Sequence, residues 1–459
     1  MSEAVGGRLS EALVSTALSA AVIGSVGAPL ITPVATGMHV SFHAAQWTLT
    51  LPLFTGAIAG PVLGRLGRLG SGPHRRTTIL AALALVALGG LLTVLPLPFA
   101  VLLLGRGLQG LGVAVGALLM SVARAHLPPE RSTSTIAALS IAGTVGIGVG
   151  YPVISLLDQL AGLRAAYGLG FVLSVVALVI AWRALPVEEP GERPRIDLTG
   201  ATLLALGTLG FLLLVAEPAI WSSAWLVCGV LAGSGAVLVV WAIVERRTTA
   251  PLVDLRLLGR ATVLRANLAM LIAGMGLYLL FSLLTRYVQT PAGAGYGFAL
   301  PGVAAGAALI PFSALGFVAG TVQPRLLARL TERGTYALSA AIAIAAALLF
   351  AADQSLPVVL TAIGLLGFGV GGISAVMPRL VLAGVPQAET ASVLSINQIV
   401  RSIGFSTGSA LAGLLLATST ALPNQNDYTA AALWALLPLA TTALIITTTS
   451  SRTAEPRTR

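Results

Sequence analysis

Residues 102–119 read LLLGRGLQGLGVAVGALL, an apolar run broken by one charge, Arg106, and one amide, Gln109. A run of this length and composition is what a membrane-crossing helix requires. A charge inside such a helix costs on the order of 3 kcal/mol on insertion scales, so it is kept for a reason. Arg106, Gln109, Gly110 and Val113 recur at i, i+3, i+4 and i+7 and share one helical face. A guanidinium keeps its proton, so it must meet a polar cavity, backbone carbonyls or a carboxylate. Two readings fit: Arg106 takes part in binding or coupling, or it pins helices together through carbonyls.

The rest of the chain agrees with the membrane reading. Of 459 residues, 56% are hydrophobic and 9% are charged, against about 25% charged in a soluble domain. The formal charge is +10, and all 26 basic residues are arginine. Such a balance often points to nucleic acid, but here the arginines fall in short loops between apolar segments, as the positive-inside rule requires. One cysteine, Cys228, excludes an intrachain disulfide framework and a CxxC metal site. His39, His43, His74 and His126 sit in or near predicted loops. No metal or cofactor is expected.

Apolar windows predict fourteen spans, near 12–34, 46–65, 78–97, 99–120, 134–157, 165–185, 199–216, 223–244, 264–288, 300–321, 336–352, 356–377, 391–417 and 429–448. Arg65, Arg68, Arg75, Arg76, Arg124, Arg131, Arg193, Arg195, Arg246, Arg247, Arg325, Arg329 and Arg379 all fall on one side, which places both termini in the cytoplasm. The opposite loops hold Arg164, with Arg286 at an edge. The stretch 188–198 reads as a charged linker, and 245–260 accommodates a short surface helix.

Three local matches recur at an offset of 258 to 260. Ala59-Gly60 matches Ala319-Gly320, the loop 126–131 matches 384–389, and Gly146 and Gly150 match Gly404 and Gly408. The repeat pairs the first six spans with the last six. The expected organisation is a first bundle over 1–187, a linker over 188–198, two inserted spans over 199–262, a second bundle over 263–449 and a tail over 450–459. Parallel halves of this kind describe one class of secondary transporter.

Two further motifs carry candidate chemistry. The stretch 143–152, GTVGIGVGYP, sets Gly143, Gly146 and Gly150 on one face, with Pro152 to bend the helix end. Close packing and a conformational gate both account for it. The stretch 60–69, GPVLGRLGRL, is an arginine-rich turn in which Gly60, Arg65 and Arg68 are candidates for locking one state. Positive-inside charge alone also explains those arginines.

The chain resembles the major facilitator superfamily, specifically its fourteen-span drug/proton antiporters. Residues 104–114 resemble that family's span-4 signature, 143–152 its span-5 antiporter signature and 60–68 its loop 2–3 signature. The resemblance implies an all-α polytopic protein of two six-helix bundles plus two inserted helices. It implies a secondary exporter of small amphipathic molecules, coupled to protons by alternating access; the alternative is a uniporter or importer without proton coupling. It also puts Arg106 in the central cavity and the span-5 glycines between the halves. Two departures stand out. Gly64 occupies the place of the loop aspartate, and Ala20 that of the aspartate usual in span 1. The nearest acids are Asp158 and Glu217, at outer helix ends, and Asp158 is the favoured proton carrier. Asn397, Gln398, Arg401, Arg286, Tyr278 and Trp47 complete the candidate cavity residues. A cavity without deep acids suits neutral or anionic molecules. Expected partners are the substrate, protons and the bilayer, with no nucleic acid, and the chain is expected to be monomeric.

Overall fold

The computed structural model describes residues 3–40, 42–66, 74–187, 197–216, 220, 223–249, 251–252, 255–290, 295–300, 302–416 and 424–448. All regular structure among them is helical. The helices are α1 (Glu3–Ser25), α2 (Ile31–Gly37), α3 (Phe42–Leu66), α4 (His74–Val94), α5 (Phe99–Gln109), α6 (Leu111–His126), α7 (Pro129–Ala161) and α8 (Leu163–Ala184). There follow α9 (Leu198–Ala216), α10 (Ala224–Arg247), α11 (Leu255–Leu258), α12 (Ala261–Gln289), α13 (Gly302–Ala307), α14 (Ile310–Arg329) and α15 (Glu332–Ala352). The last four are α16 (Leu356–Val381), α17 (Thr390–Leu415), α18 (Gln425–Trp434) and α19 (Leu436–Thr447).

Eleven helical segments of the described residues are long and apolar enough to cross a membrane. The expected spans over 12–34, 199–216 and 391–417 are helical as α1, α9 and α17 but fall outside that set. For α1 and α17 the reason is visible in composition: Glu3, Arg8 and Glu11 open the first, and Asn397, Gln398 and Arg401 interrupt the other. Four predicted spans are broken. The first leaves α1 at Ser25 and resumes as α2 at Ile31, the fourth divides at Gly110 into α5 and α6, the tenth into α13 and α14 before Pro311, and the last into α18 and α19 at Ala435. The surface helix expected over 245–260 is reduced to the single turn α11. Several arginines assigned to loops are helical, among them Arg75, Arg76 and Arg124.

Helices α1 to α8 pack mainly on one another, and so do α12 and α14 to α19, while α13 lies against α7 of the first half. The pair α9–α10 lies outside them, with α9 against α3 and α17. Leu13, Ile79, Leu83, Leu118 and Leu119 fill the first core. Leu280, Leu283, Tyr336, Phe350 and Leu366 fill the second. Leucines and valines such as Leu88, Val172, Val176 and Leu444 face outward, as lipid-facing positions do in a membrane protein.

The sequence repeat reappears as a packing repeat. Helices α1 and α7 run side by side in the first half, and α12 and α17 do so in the second. A Cβ at Gly146 would press on Ala21, and one at Gly150 on Ser25. A Cβ at Gly404 would press on the Leu271 carbonyl, and one at Gly408 on that of Met275. In each half a small-residue face lets the fifth helix lie directly on the first.

Candidate functional site

Arg106 is fully buried inside the first half. Its Nε donates to the Thr48 carbonyl at 2.8 Å, and Nη1 donates to the Ile23 carbonyl at 3.3 Å and to Gln109 Oε1 at 2.5 Å. One side chain thus joins α1, α3 and the last turn of α5. A Cβ at Gly27 would stand 2.9 Å from Nη2, so the guanidinium requires that glycine. Tyr167 of α8 lies beside it. No carboxylate pairs with it among the described residues. Ala20 explains part of this: its methyl faces Gly112, whose own Cβ would come within 3.5 Å of it, so the span-1 position offers no acid. The packing reading therefore describes what Arg106 touches, and its expected place in a central cavity is not where it lies.

The span-5 glycines also sit differently from expectation. Gly146 and Gly150 face α1 of their own half, and Gly143 is exposed with open space around it. The contact between halves on α7 belongs to other residues. Ser313 Oγ of α14 donates to the Thr144 carbonyl at 2.6 Å and accepts from the Gly148 N–H at 2.8 Å. Pro152 does meet the opposite half, at Gly306, where a Cβ would lie 3.1 Å from its Cα.

At the arginine-rich face a set of hydrogen bonds ties the halves together. Arg124 donates to Thr390 Oγ1 at 2.7 Å and to the Val385 carbonyl at 3.1 Å. Gln387 donates to the Arg124 carbonyl at 2.7 Å. Ser395 donates to the Gly60 carbonyl at 3.0 Å. A Cβ at Gly64 would stand 3.3 Å from the Ala391 carbonyl, so the backbones touch where the family pattern has an aspartate. Gly60 is thus part of a cross-half contact, Arg65 is half-buried in the last turn of α3, and Arg68 lies outside the described residues. Arg75, read as a loop charge, is buried and donates to Ser121 Oγ at 3.1 Å. Nothing in its sequence neighbourhood marks it apart from Arg76.

The second half holds the other mid-membrane cation. Arg401 stands about 17 Å along α17 at 1.5 Å per residue. It is half-buried and makes no hydrogen bond or ion pair among the described residues. Its guanidinium lies over the Phe405 ring, 5.7 Å from the centroid. Tyr278 of α12 stacks on Phe405 at 4.2 Å, and Phe281 follows at 5.3 Å from Tyr278. The Gly274–Gly404 crossing makes this possible, because the two backbones approach one turn earlier. Asn397 donates to Asn267 Oδ1 at 2.9 Å, closing the same helix pair below. Gln398 and Trp47 are half-buried, and Arg286 is exposed in the last turn of α12.

Asp158 is half-buried near the end of α7, and Glu217 lies outside the described residues. Glu245 is a buried acid that the span boundaries hid, being the third-last residue of α10 and 2% exposed. Among the described residues no group of three or more His, Cys, Asp or Glu is placed to hold a metal.

The model of the Major Facilitator Superfamily matches residues 12–409. The chain belongs to this superfamily. It is a multi-pass membrane protein of a transporter family. It is 27% identical over 355 residues to the multidrug resistance protein Stp of Mycobacterium tuberculosis, covering 75% of this chain and 64% of that protein. The chain thus spans slightly less than two thirds of that relative. It is 29% identical over 389 residues to the cephamycin export protein CmcT of Amycolatopsis lactamdurans, covering 82% of this chain and 77% of that protein. The fold is shared with the human organic anion transporter MFSD10, with a TM-score of 0.64 at 16% identity over 95% of this chain and 99% of that one.

Proposed function

We propose that this superfamily member is a secondary exporter of small amphipathic molecules, working by alternating access and coupled to protons. The observation that carries the reading is the seam between the halves. Two helix groups of equivalent packing meet there, α7 against α13, α14 and α16 and α17 against α3 and α6, and side-chain hydrogen bonds from Arg124, Gln387, Ser395 and Ser313 cross it. Such a seam opens by rigid-body rocking without unpacking either core. Relatives named for multidrug resistance and cephamycin export support the direction and the type of cargo. In this reading the chain has fourteen spans with α1, α9 and α17 included, both termini are cytoplasmic, and the arginine-rich end is closed. The bundles are 1–187 and 263–449, and the monomer is the working unit. Asp158 is the proposed proton carrier, since Tyr167 lies within electrostatic reach of both Asp158 and Arg106.

Flux into proteoliposomes, measured with and without an imposed pH gradient, tests the coupling. Gradient-driven accumulation is expected, and Asp158→Asn is expected to abolish it. Flux indifferent to the gradient would leave the uniporter reading in its place. That no carboxylate among the described residues pairs with Arg106 is the observation favouring that alternative.

A further inference from the structure

Arg401 is the one mid-membrane arginine described here whose guanidinium has no oxygen to donate to. Its Nε is enclosed and makes no hydrogen bond. Beside it stand two tyrosines. Tyr278 is within electrostatic reach of Arg401, and Tyr151, from α7 of the opposite half, is within reach of Tyr278. All three are half-buried, so each keeps part of its side chain accessible where the halves face each other. None of the three makes a hydrogen bond among the described residues.

A cleft with these walls selects by charge and shape. An unpaired cation at membrane depth is costly, and a charge-assisted hydrogen bond to an anion removes the cost most directly. A neutral ligand leaves the charge unpaired, and a cation adds repulsion. The stacked pair Tyr278–Phe405, with Phe281 tilted 38° beside it, favours planar rings over aliphatic chains. The tyrosine hydroxyls supply neutral donors on the far side.

Resting on the exporter reading above, we propose that the cleft between the halves binds planar aromatic anions, carboxylates or sulfonates, with Arg401 as counter-charge and Tyr278–Phe405 as the aromatic wall. The donors come from both halves, so such a ligand spans the seam.

Calorimetric titration of the protein in phosphatidylcholine nanodiscs tests this, using three ligands of one shape. These are naphthalene-2-sulfonate, naphthalene-2-methanol and 2-naphthyltrimethylammonium, with empty nanodiscs subtracting partition into lipid. The sulfonate is expected to bind at least tenfold tighter than either other ligand. Arg401→Gln should remove that preference, Arg401→Lys should keep part of it, and Phe405→Leu should weaken all three ligands alike. Equal binding of the three ligands to the unaltered protein would overturn the proposal, as would a preference that survives in Arg401→Gln. The comparison on the unaltered protein needs no variant to fold. Binding requires no gradient, so a charge preference without flux would count against export and not against this site.

Discussion

Arg106 and Arg401 are both arginines deep in helices, one in each half, and the chain treats them in opposite ways. Arg106 is wrapped by two backbone carbonyls and an amide oxygen from three helices, which serve its Nε and Nη1 and leave a fully enclosed Nη2 unmet. Among the described residues, Arg401 meets the face of Phe405 and no hydrogen-bond acceptor. The difference teaches that an intramembrane charge is not in itself a binding site. What matters is whether the protein has closed over the charge and supplied most of its acceptors. Where it has, the charge holds helices together; where it has not, the unmet capacity is available to a ligand.

The contrast can be broken first at Arg106. Arg106→Ala should strand Gln109 Oε1 and the Thr48 carbonyl, whose helical partner position is Pro52, and leave the Ile23 carbonyl with only the Val26 N–H, at about 1–3 kcal/mol for each group left unsatisfied. The expected outcome is a strongly lowered melting temperature in nanodiscs and poor yield of folded protein. A variant as stable as the parent would end the pinning role. Next in size is Gly408→Val, whose Cβ would strike the Met275 carbonyl. Overpacking of this kind costs typically 1–3 kcal/mol, and it should separate Tyr278 from Phe405. Gly143→Val, facing open space, is its control and should melt with the parent.

Arg124→Ala removes two hydrogen bonds across the seam, worth roughly 1.5–3 kcal/mol each at most when the donor is charged. It should leave each half folded while loosening the closed face, seen as faster labelling of a cysteine placed at position 391 in a background lacking Cys228. Unchanged labelling would remove Arg124 from the closure. Among the arginine substitutions, the smallest change in stability is expected for Arg401→Gln. With no hydrogen bond to lose, its stability should stay within the roughly 0.5 kcal/mol typical of substitutions away from structural networks, read as a melting temperature close to the parent's. A large drop would mean that Arg401 is a structural residue like Arg106, and the contrast would collapse.

Much of this was legible in sequence, and the limits are physical. Composition and apolar run length imply a helical membrane protein, and the offset between Gly146 and Gly404 announced the packing repeat. The role of Arg106 was open because carbonyls leave no mark in a residue list: Thr48 and Ile23 contribute backbone, which any residue supplies. The small-residue face of 143–152 marked close packing but not its partner. Periodicity says which residues share a face, and only the folded chain says that the face meets α1. Ser313 and Ser395 carry contacts between halves, yet a serine in an apolar helix more often bonds its own preceding turn. The aromatic wall at Tyr278 and Phe405 was half visible, since stacking needs the Gly274–Gly404 crossing that brings two distant stretches together.

The Ser313 hydroxyl has a mechanical consequence. It bonds the Thr144 carbonyl and the Gly148 amide, two groups one turn apart on α7. A Cβ at 148 would overlap the Ser313 Oγ, so glycine is what admits the hydroxyl to the α7 backbone. Sliding α14 along α7 by one turn would break both bonds together, so this single serine sets the register of the two helices across the seam.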